Sequence, residues 1–162
     1  MKLIRVSVLV ICTVLGVGTV AAAVNVRLVT AEAETVLAIL AKRKANQPIA
    51  DADWQRVFQS EGYVRLKQRE TFMKRSFEDA DFKTFVLSDQ LLARAAALDE
   101  TLARWKQADT SRAAKLALAY LPKDANVRAK IYPVIKPREN SFVFDVDTDP
   151  AIFLYLDPAV SR

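Results

Sequence analysis

The residue types that most often carry out chemistry are scarce in this chain of 162 residues. It contains no histidine and a single cysteine, Cys12. The lack of histidine excludes Ser-His-Asp and Cys-His nucleophile systems, histidine acid-base catalysis and every zinc site that needs imidazole. One cysteine excludes disulfides and thiolate clusters. Gly62 is the only glycine after residue 23, so Gly-rich phosphate loops and dinucleotide fingerprints are absent as well.

Carboxylates are the remaining candidates for metal binding. Asp145, Asp147 and Asp149 follow the D-x-D-x-D opening of a calcium loop. Pro150 stands where that loop requires glycine, and Leu156 stands where it requires a bidentate glutamate. We therefore interpret the segment as a turn between two strands, and we expect no metal site there.

Two further charged groups lie in the middle of the chain. One is acidic and stands at a predicted helix start, where carboxylates stabilise the helix dipole; this interpretation is favoured over paired acid-base catalysis. The other is basic and interleaved with aromatic residues, which is typical of a solvated helix face; the alternative is an anion-binding or nucleic-acid patch. The acidic group is Glu78, Asp79 and Asp81, and the basic group is Arg65, Lys67, Arg69, Lys74 and Arg75.

Residues 1–23 have the pattern of a secretory signal peptide. Lys2 and Arg5 precede an uncharged stretch that ends in Ala21-Ala22-Ala23, and we expect cleavage after Ala23. The alternative is an uncleaved membrane anchor, since the stretch approaches the roughly 20 residues that span a bilayer. Loss of Lys2 and Arg5 would lower the formal net charge from +5 to +3. The protein is thus predicted to be exported, periplasmic or secreted, with no nucleic-acid partner and with membrane contact only if the segment stays attached.

Composition and apolar spacing predict six helices. In the first, Thr30 is the N-cap, and Glu32 and Glu34 lie near the positive end of the dipole. The second begins at Asp51 and stops at Gly62. The third runs from about Val64 to Arg75; the fourth carries Phe82, Phe85 and Val86; the fifth starts near Ser88 and carries Leu91, Ala95, Leu98, Leu102 and Trp105; the sixth is capped near Asp109 and runs through Leu116 and Tyr120 to Pro122.

The pattern changes to that of strands after Pro122. The segment Ile131–Ile135 contains Pro133, which predicts an edge strand or an extended segment. The segment Phe142–Val146 alternates apolar and polar residues, as a half-buried strand does. The segment Ala151–Leu156 is apolar without alternation, which predicts a strand covered on both faces. Asp157-Pro158 ends it, and we expect the element that should cover it to be missing.

These patterns predict a mainly α protein with a small C-terminal β region, of the α+β class. Residues 24–125 form the helical body, and residues 126–162 form a short strand region of the same domain that is incomplete at its carboxyl end. We expect Trp54, Trp105 and the phenylalanines in the hydrophobic core.

Spaced motifs from residue 51 onward resemble an uncharacterised bacterial family of zinc-dependent peptidases of the HExxH type. The most specific segments are Asn140-Ser141-Phe142-Val143 and Ala151-Ile-Phe-Leu-Tyr-Leu-Asp-Pro158. The others are Asp51-Ala-Asp53-Trp54, Ser60-Glu61-Gly62-Tyr63 with Arg69-Glu70, Tyr120-Leu121-Pro122 and Ile135-Lys136-Pro137.

The resemblance implies a zincin-like scaffold whose last strand is followed by a helix bearing H-E-x-x-H, with zinc as the cofactor of that family. Such a helix places two imidazoles on the metal, and the glutamate acts as base for the attacking water. This chain has no histidine, so it is expected to be the non-catalytic N-terminal portion of such a peptidase, holding no cofactor itself. In the complete enzyme Asn140, Ser141, Tyr155 and Asp157 are expected to lie nearest the substrate cleft.

The alternative is a non-enzymatic, exported helical module that binds a partner protein or an envelope component. In the first case the partner is a catalytic segment missing from the carboxyl end; in the second it is another protein. An exposed strand edge is a ready template for either kind of pairing.

Overall fold

The computed structural model describes residues 24–122, 125–146 and 149–156, and the predicted signal segment, residues 1–23, lies outside these ranges. The described residues form six helices and one four-stranded sheet, which confirms the α+β class. The helices are α1 (Ala31–Lys44), α2 (Asp51–Phe58), α3 (Glu61–Phe72), α4 (Asp79–Val86), α5 (Asp89–Gln107) and α6 (Thr110–Leu118). The strands are β1 (Val24–Leu28), β2 (Val127–Val134), β3 (Phe142–Val146) and β4 (Asp149–Tyr155).

The helix starts follow local capping signals. Ser88 and Asp109 each accept a hydrogen bond from a backbone N–H of the first turn of the helix that follows. Thr30 takes the N-cap position of α1, although its hydroxyl donates to the carboxylate of Glu34 at 2.9 Å rather than capping the backbone. At the start of α2, the Asp53 carboxylate accepts from the Ala50 N–H at 2.9 Å. These boundaries agree with the sequence prediction to within a residue or two.

The prediction that a helix stops at Gly62 is wrong. The second helix ends earlier, at Phe58, and Gly62 is buried inside α3. A Cβ atom on Gly62 would lie 3.2 Å from Glu32 Cβ and 3.4 Å from Tyr132 Cδ1. Glycine is therefore present because α3 approaches α1 and the sheet closely.

The sheet has the order β1-β2-β4-β3, in which β1, β2 and β4 run parallel and β3 runs antiparallel to β4. The first strand, β1, was not predicted from the sequence. It pairs with β2 from Val24 opposite Val127 to Leu28 opposite Ile131, so the helical body forms the crossover between two parallel strands. The sheet is consequently not confined to the C-terminal region.

The placement of β2 at an edge is also wrong, because β2 lies between β1 and β4. Pro133 is tolerated there for a geometric reason. Strand β1 stops at Leu28, opposite Ile131, whereas Pro133 lies farther along β2 and is paired on one side only, with Leu154 of β4. The missing N–H of proline therefore costs no bond to β1.

Two clusters of buried side chains make up the core. The larger one packs α1 against α2, α3, α4 and α5 and includes Trp54, with Trp105 packed against it in a partly buried position. Phe72 is 74% exposed, so the expectation that the phenylalanines belong to the core is wrong for this residue. The smaller one packs Leu66 of α3 against the sheet, where the Phe153 ring stacks between Tyr132 and Phe142 at centroid distances of 4.9 and 4.8 Å.

Strand β4 is less completely covered than the apolar run predicted. Ala151 and Phe153 are buried, while Ile152 and Leu154 on the opposite face are only partly buried. None of the helices in the described ranges combines the length and the hydropathy needed to cross a bilayer.

Candidate functional site

One end of the sheet collects most of the polar residues that the sequence singled out. Strands β2 and β4 run parallel and end there together, and the Leu156 N–H donates to the Val134 carbonyl at 3.1 Å just beyond the paired strands. Strand β3 begins at the same end because it runs antiparallel to β4. Open sheets of this kind bind ligands outside the carboxyl ends of their parallel strands. We call this region the strand-end site.

Lys136 lies at the centre of the strand-end site, two residues after β2 ends. Only 2% of its surface is exposed. Its ammonium group donates to the Arg138 carbonyl and, at 2.7 Å, to Asn140 Oδ1. It also lies over the rings of Phe142 and Tyr155, at 5.5 and 5.4 Å from their centroids. One buried cation thus contacts the loop after β2, the start of β3 and the end of β4.

Burial changes the acid-base behaviour of this lysine. Desolvation lowers the pKa of Lys136 to about 8, against the opposing effect of the Glu70 carboxylate. A sizeable neutral fraction is therefore present at mildly alkaline pH. In its charged form the ammonium has three donors, and the two hydrogen bonds above use two of them.

The structure brings together three of the four residues that the resemblance placed at a cleft. Asn140 accepts from Lys136, Ser141 Oγ accepts a hydrogen bond from the Tyr155 N–H at 3.0 Å, and the Tyr155 ring lies beneath the lysine. Burial raises the pKa of the Tyr155 hydroxyl. The fourth candidate, Asp157, lies outside the described residues.

Glu32 is an ionisable group that the sequence interpretation missed. The sequence interpretation placed it near the positive end of the α1 dipole and did not anticipate burial, yet its side chain is only 1% exposed. Glu32 Oε2 accepts from the Ile135 N–H at 3.1 Å, and Oε1 has no hydrogen-bond partner among the described residues. Burial raises the pKa of this carboxyl to about 8, against the lowering effects of the Ile135 bond and of Lys136. The carboxyl is therefore mostly protonated at neutral pH.

A signal for the burial of Glu32 was present in the sequence. Glu32 precedes Val36 by four residues and Ile39 by seven, so all three lie on one face of α1. Val36 and Ile39 are buried, and the same stripe carries Glu32 into the core. The position of Glu32 in the apolar stripe was therefore a better predictor of its burial than its position in the first turn of α1.

The basic group of α3 is only partly a solvated face. The Arg65 guanidinium lies 5.7 Å from the centroid of the Tyr132 ring, and that of Arg69 lies 3.9 Å from the centroid of the Phe142 ring. Arg69 also forms an ion pair with the buried Glu70 at 2.5 Å. The side chains of Arg65 and Arg69 pack over aromatic rings of the sheet. The prediction of a solvated face is therefore wrong for these two residues.

The acidic group at the start of α4 is at a helix start, as predicted. Asp79 accepts from the Lys67 ammonium at 2.7 Å and from the Tyr63 hydroxyl at 2.9 Å. These two hydrogen bonds hold the pKa of Asp79 below its usual range, against the effect of burial. Asp79 therefore has a structural role, whereas Glu78 and Asp81 border a cavity.

The aspartates at 145 and 149 stand at the hairpin between β3 and β4, where Val146 is paired with Asp149. This agrees with the turn interpretation; Asp147 lies outside the described residues. Within residues 24–122, 125–146 and 149–156, no group of three or more histidine, cysteine, aspartate or glutamate side chains is placed to hold a metal ion. Because the chain has no histidine, it does not supply the two imidazoles of the H-E-x-x-H motif that the resemblance implies.

A cavity of about 180 Å³ opens beside Lys136, between α3, α4 and the loop after β2. Its apolar wall is formed by Leu66, Phe77 and Phe82, of which the first and last are 1% exposed. Its charged lining consists of Lys136, Arg138, Glu70, Glu78 and Asp81. The cavity combines a buried cation with an apolar wall at this end of the sheet.

No family model, no curated protein and no solved structure matches the chain.

Proposed function

We propose that this chain is the non-catalytic, peptide-holding portion of an exported zinc-dependent peptidase. In this proposal the chain supplies the scaffold and one side of the substrate cleft, and another segment or protein supplies the metal, its ligands and the base. The sequence motifs that resemble the family support this assignment. The observation that carries it is the unpaired antiparallel edge formed by β3.

Strand β3 has a partner on one side only among the described residues. It pairs with β4 from Phe142 opposite Phe153 to Val146 opposite Asp149, and no other described strand adjoins it. Val143, near its start, is 65% exposed. The outer row of N–H and C=O groups of such a strand can add an extended peptide as a further strand.

The most specific motif residues surround this edge, which supports its role as the cleft. Asn140 and Ser141 immediately precede β3, and Tyr155 ends the adjoining strand. In the proposed complex the backbone of β3 binds the peptide backbone, while Lys136 and Asn140 hold the preceding loop in place. Hydrolysis by the family's route needs two imidazoles on zinc, which a chain without histidine does not provide.

Hydrogen exchange measured by mass spectrometry tests the proposal. The purified chain is mixed with a short β-prone peptide, and the control is the same peptide with alternate amides N-methylated. We expect the amides of residues 142–146 to exchange more slowly with the first peptide and not with the second, because N-methylation removes the donors needed for strand pairing. Protection elsewhere, or equal protection by both peptides, would contradict the proposal.

A second measurement addresses the lack of catalysis. The purified chain supplied with zinc is expected to leave a mixture of unstructured peptides intact. A chelator-sensitive peptidase activity that copurifies with the chain would refute the non-catalytic assignment.

The second candidate function is that of a non-enzymatic binding module. It is favoured by apolar side chains exposed on and after α6: Leu116 is 62% exposed, Tyr120 90% and Leu121 46%. Singly scattered apolar residues are normal, whereas exposed apolar side chains that form a contiguous patch are typical of a contact surface. The variant L116S/Y120S should abolish partner capture if this surface binds, and should leave the exchange pattern of β3 unchanged.

A further inference from the structure

The cavity beside Lys136 is lined by charges of both signs. Arg138 and the buried Lys136 line it from the loop that follows β2. Glu78 and Asp81 line it from the start of α4. None of Arg138, Glu78 and Asp81 forms an ion pair within the part of the chain that the structure describes. The third carboxylate, Glu70, is already paired with Arg69 and Arg75, at 2.5 and 3.7 Å.

The size and lining of the cavity limit what it can hold. Its volume is about 180 Å³, and an apolar cavity of about 150 Å³ is large enough for benzene. Leu66, Phe77 and Phe82 provide an apolar wall that suits one branched aliphatic or aromatic group. The volume therefore suits a single residue-sized molecule.

We propose that this cavity binds a free apolar α-amino acid as a zwitterion. The carboxylate lies against Lys136 and Arg138, the ammonium faces Glu78 and Asp81, and the side chain packs on Phe77 and Phe82. The Arg138 guanidinium donates to the carboxylate, and the charge of the neighbouring Lys136 also attracts it. This site is separate from the β3 edge, and it does not depend on the peptidase proposal.

The pairing of charges distinguishes this ligand from simpler ones. A monocarboxylate would satisfy Lys136 and Arg138 but leave the two rim acids facing an apolar tail. An amine would pair with Glu78 and Asp81 but leave Arg138 without an added partner. A molecule with both groups on one carbon complements the cations and the carboxylates together.

Isothermal titration of the full chain with L-leucine tests the proposal. The two comparison ligands are 4-methylpentanoate, which lacks the amino group, and isoamylamine, which lacks the carboxylate. We expect L-leucine to bind at least about tenfold more tightly than either one, since each lacks one charge-assisted contact. Equal binding of either analogue, or no binding of L-leucine at millimolar concentration, would overturn the proposal.

Variants at the exposed rim locate the binding without disturbing the core. Arg138→Gln and Asp81→Asn are each expected to weaken L-leucine binding about tenfold, because both side chains are exposed and line the cavity. The control is Arg112→Gln, an exposed cation on α6 that does not line it. Loss of binding in the control as large as that in Arg138→Gln, or unchanged binding in both rim variants, would place the ligand elsewhere and refute the assignment.

Discussion

Replacing Glu32 with glutamine is expected to remove most of the pH dependence of folding stability between about pH 5 and about pH 8. The carboxyl is buried, and folding raises its pKa from 4.5 to about 8. Over this interval the folded protein therefore holds a proton that the unfolded chain has released. Stability from this group is fully present below about pH 4.5 and is lost as the pH rises through about 8.

The magnitude follows from the same shift. Within the interval each pH unit changes the free energy of unfolding by up to about 1.4 kcal/mol. The wild-type chain should therefore lose about 3 to 4 kcal/mol between about pH 5 and about pH 8. Glutamine does not ionise, and its carbonyl can still accept from the Ile135 N–H. Its extra buried donor costs about 1–3 kcal/mol at every pH.

The stability curves of the two proteins should therefore cross. At about pH 5 the variant is expected to be the less stable one, and near pH 8 it is expected to equal or exceed the wild type. Urea unfolding followed by the fluorescence of Trp54 and Trp105 gives the free energies. The series stays below about pH 8, because the depressed pKa of Lys136 makes stability rise with pH above that value.

Glu34→Gln is the matched control. Glu34 lies on the same helix but is exposed, and hydrogen bonds from Lys106 and Thr30 lower its pKa, so it contributes no slope in this interval. If the wild-type chain shows no decline in stability across the interval, or if Glu32→Gln declines as steeply as the wild type, Glu32 is ionised in the folded protein and the reasoning fails.

Three further changes test the packing and the caps by urea unfolding. Phe153→Ala removes a fully buried ring from the centre of the sheet and should cost about 3–5 kcal/mol; a loss below about 1 kcal/mol would contradict the stacked core. Ser88→Ala removes the acceptor of the Leu91 N–H and should cost about 1 kcal/mol, while Ser88→Asp should retain most of it. Tyr63→Phe removes a hydroxyl that donates to Asp79 at 2.9 Å and should cost about 1.5–3 kcal/mol near neutral pH, with a smaller cost once Asp79 is protonated.

The sequence interpretation was most successful where local signals are strong. The apolar stripe of α5 and the capping residues Ser88 and Asp109 predict helices whose starts the structure confirms. Strand β3 also alternates as predicted. These features depend on contacts within a few residues, which spacing along the chain records directly.

The errors come from contacts between distant segments. Gly62 was interpreted as a helix stop because glycine often ends helices, yet its role depends on Glu32 and Tyr132, which lie 30 and 70 positions away. Strand β1 carries too short a pattern to be recognised before its partner β2 is known. Pro133 predicted an edge strand because proline has no N–H for a neighbouring strand. The sequence near Pro133 does not show that β1 ends before reaching it.

The candidate site also has a part that the sequence indicated and a part that only the structure shows. The resemblance pointed to Asn140, Ser141 and Tyr155, and the structure places them together around Lys136. The sequence did not indicate that Lys136 is buried, or that a cavity adjoins it. Both depend on how α3 and α4 pack over the end of the sheet.

The sequence by itself determined the chemical limits of this protein and most of its helices. A chain without histidine cannot hold zinc through imidazole, however it folds. The tertiary structure alone decided the order of the strands, the edge position of β3 among the described strands and the burial of Glu32 and Lys136. The physical reason is that strand pairing and desolvation depend on segments far apart in the chain, whereas capping and helical periodicity act within a few turns.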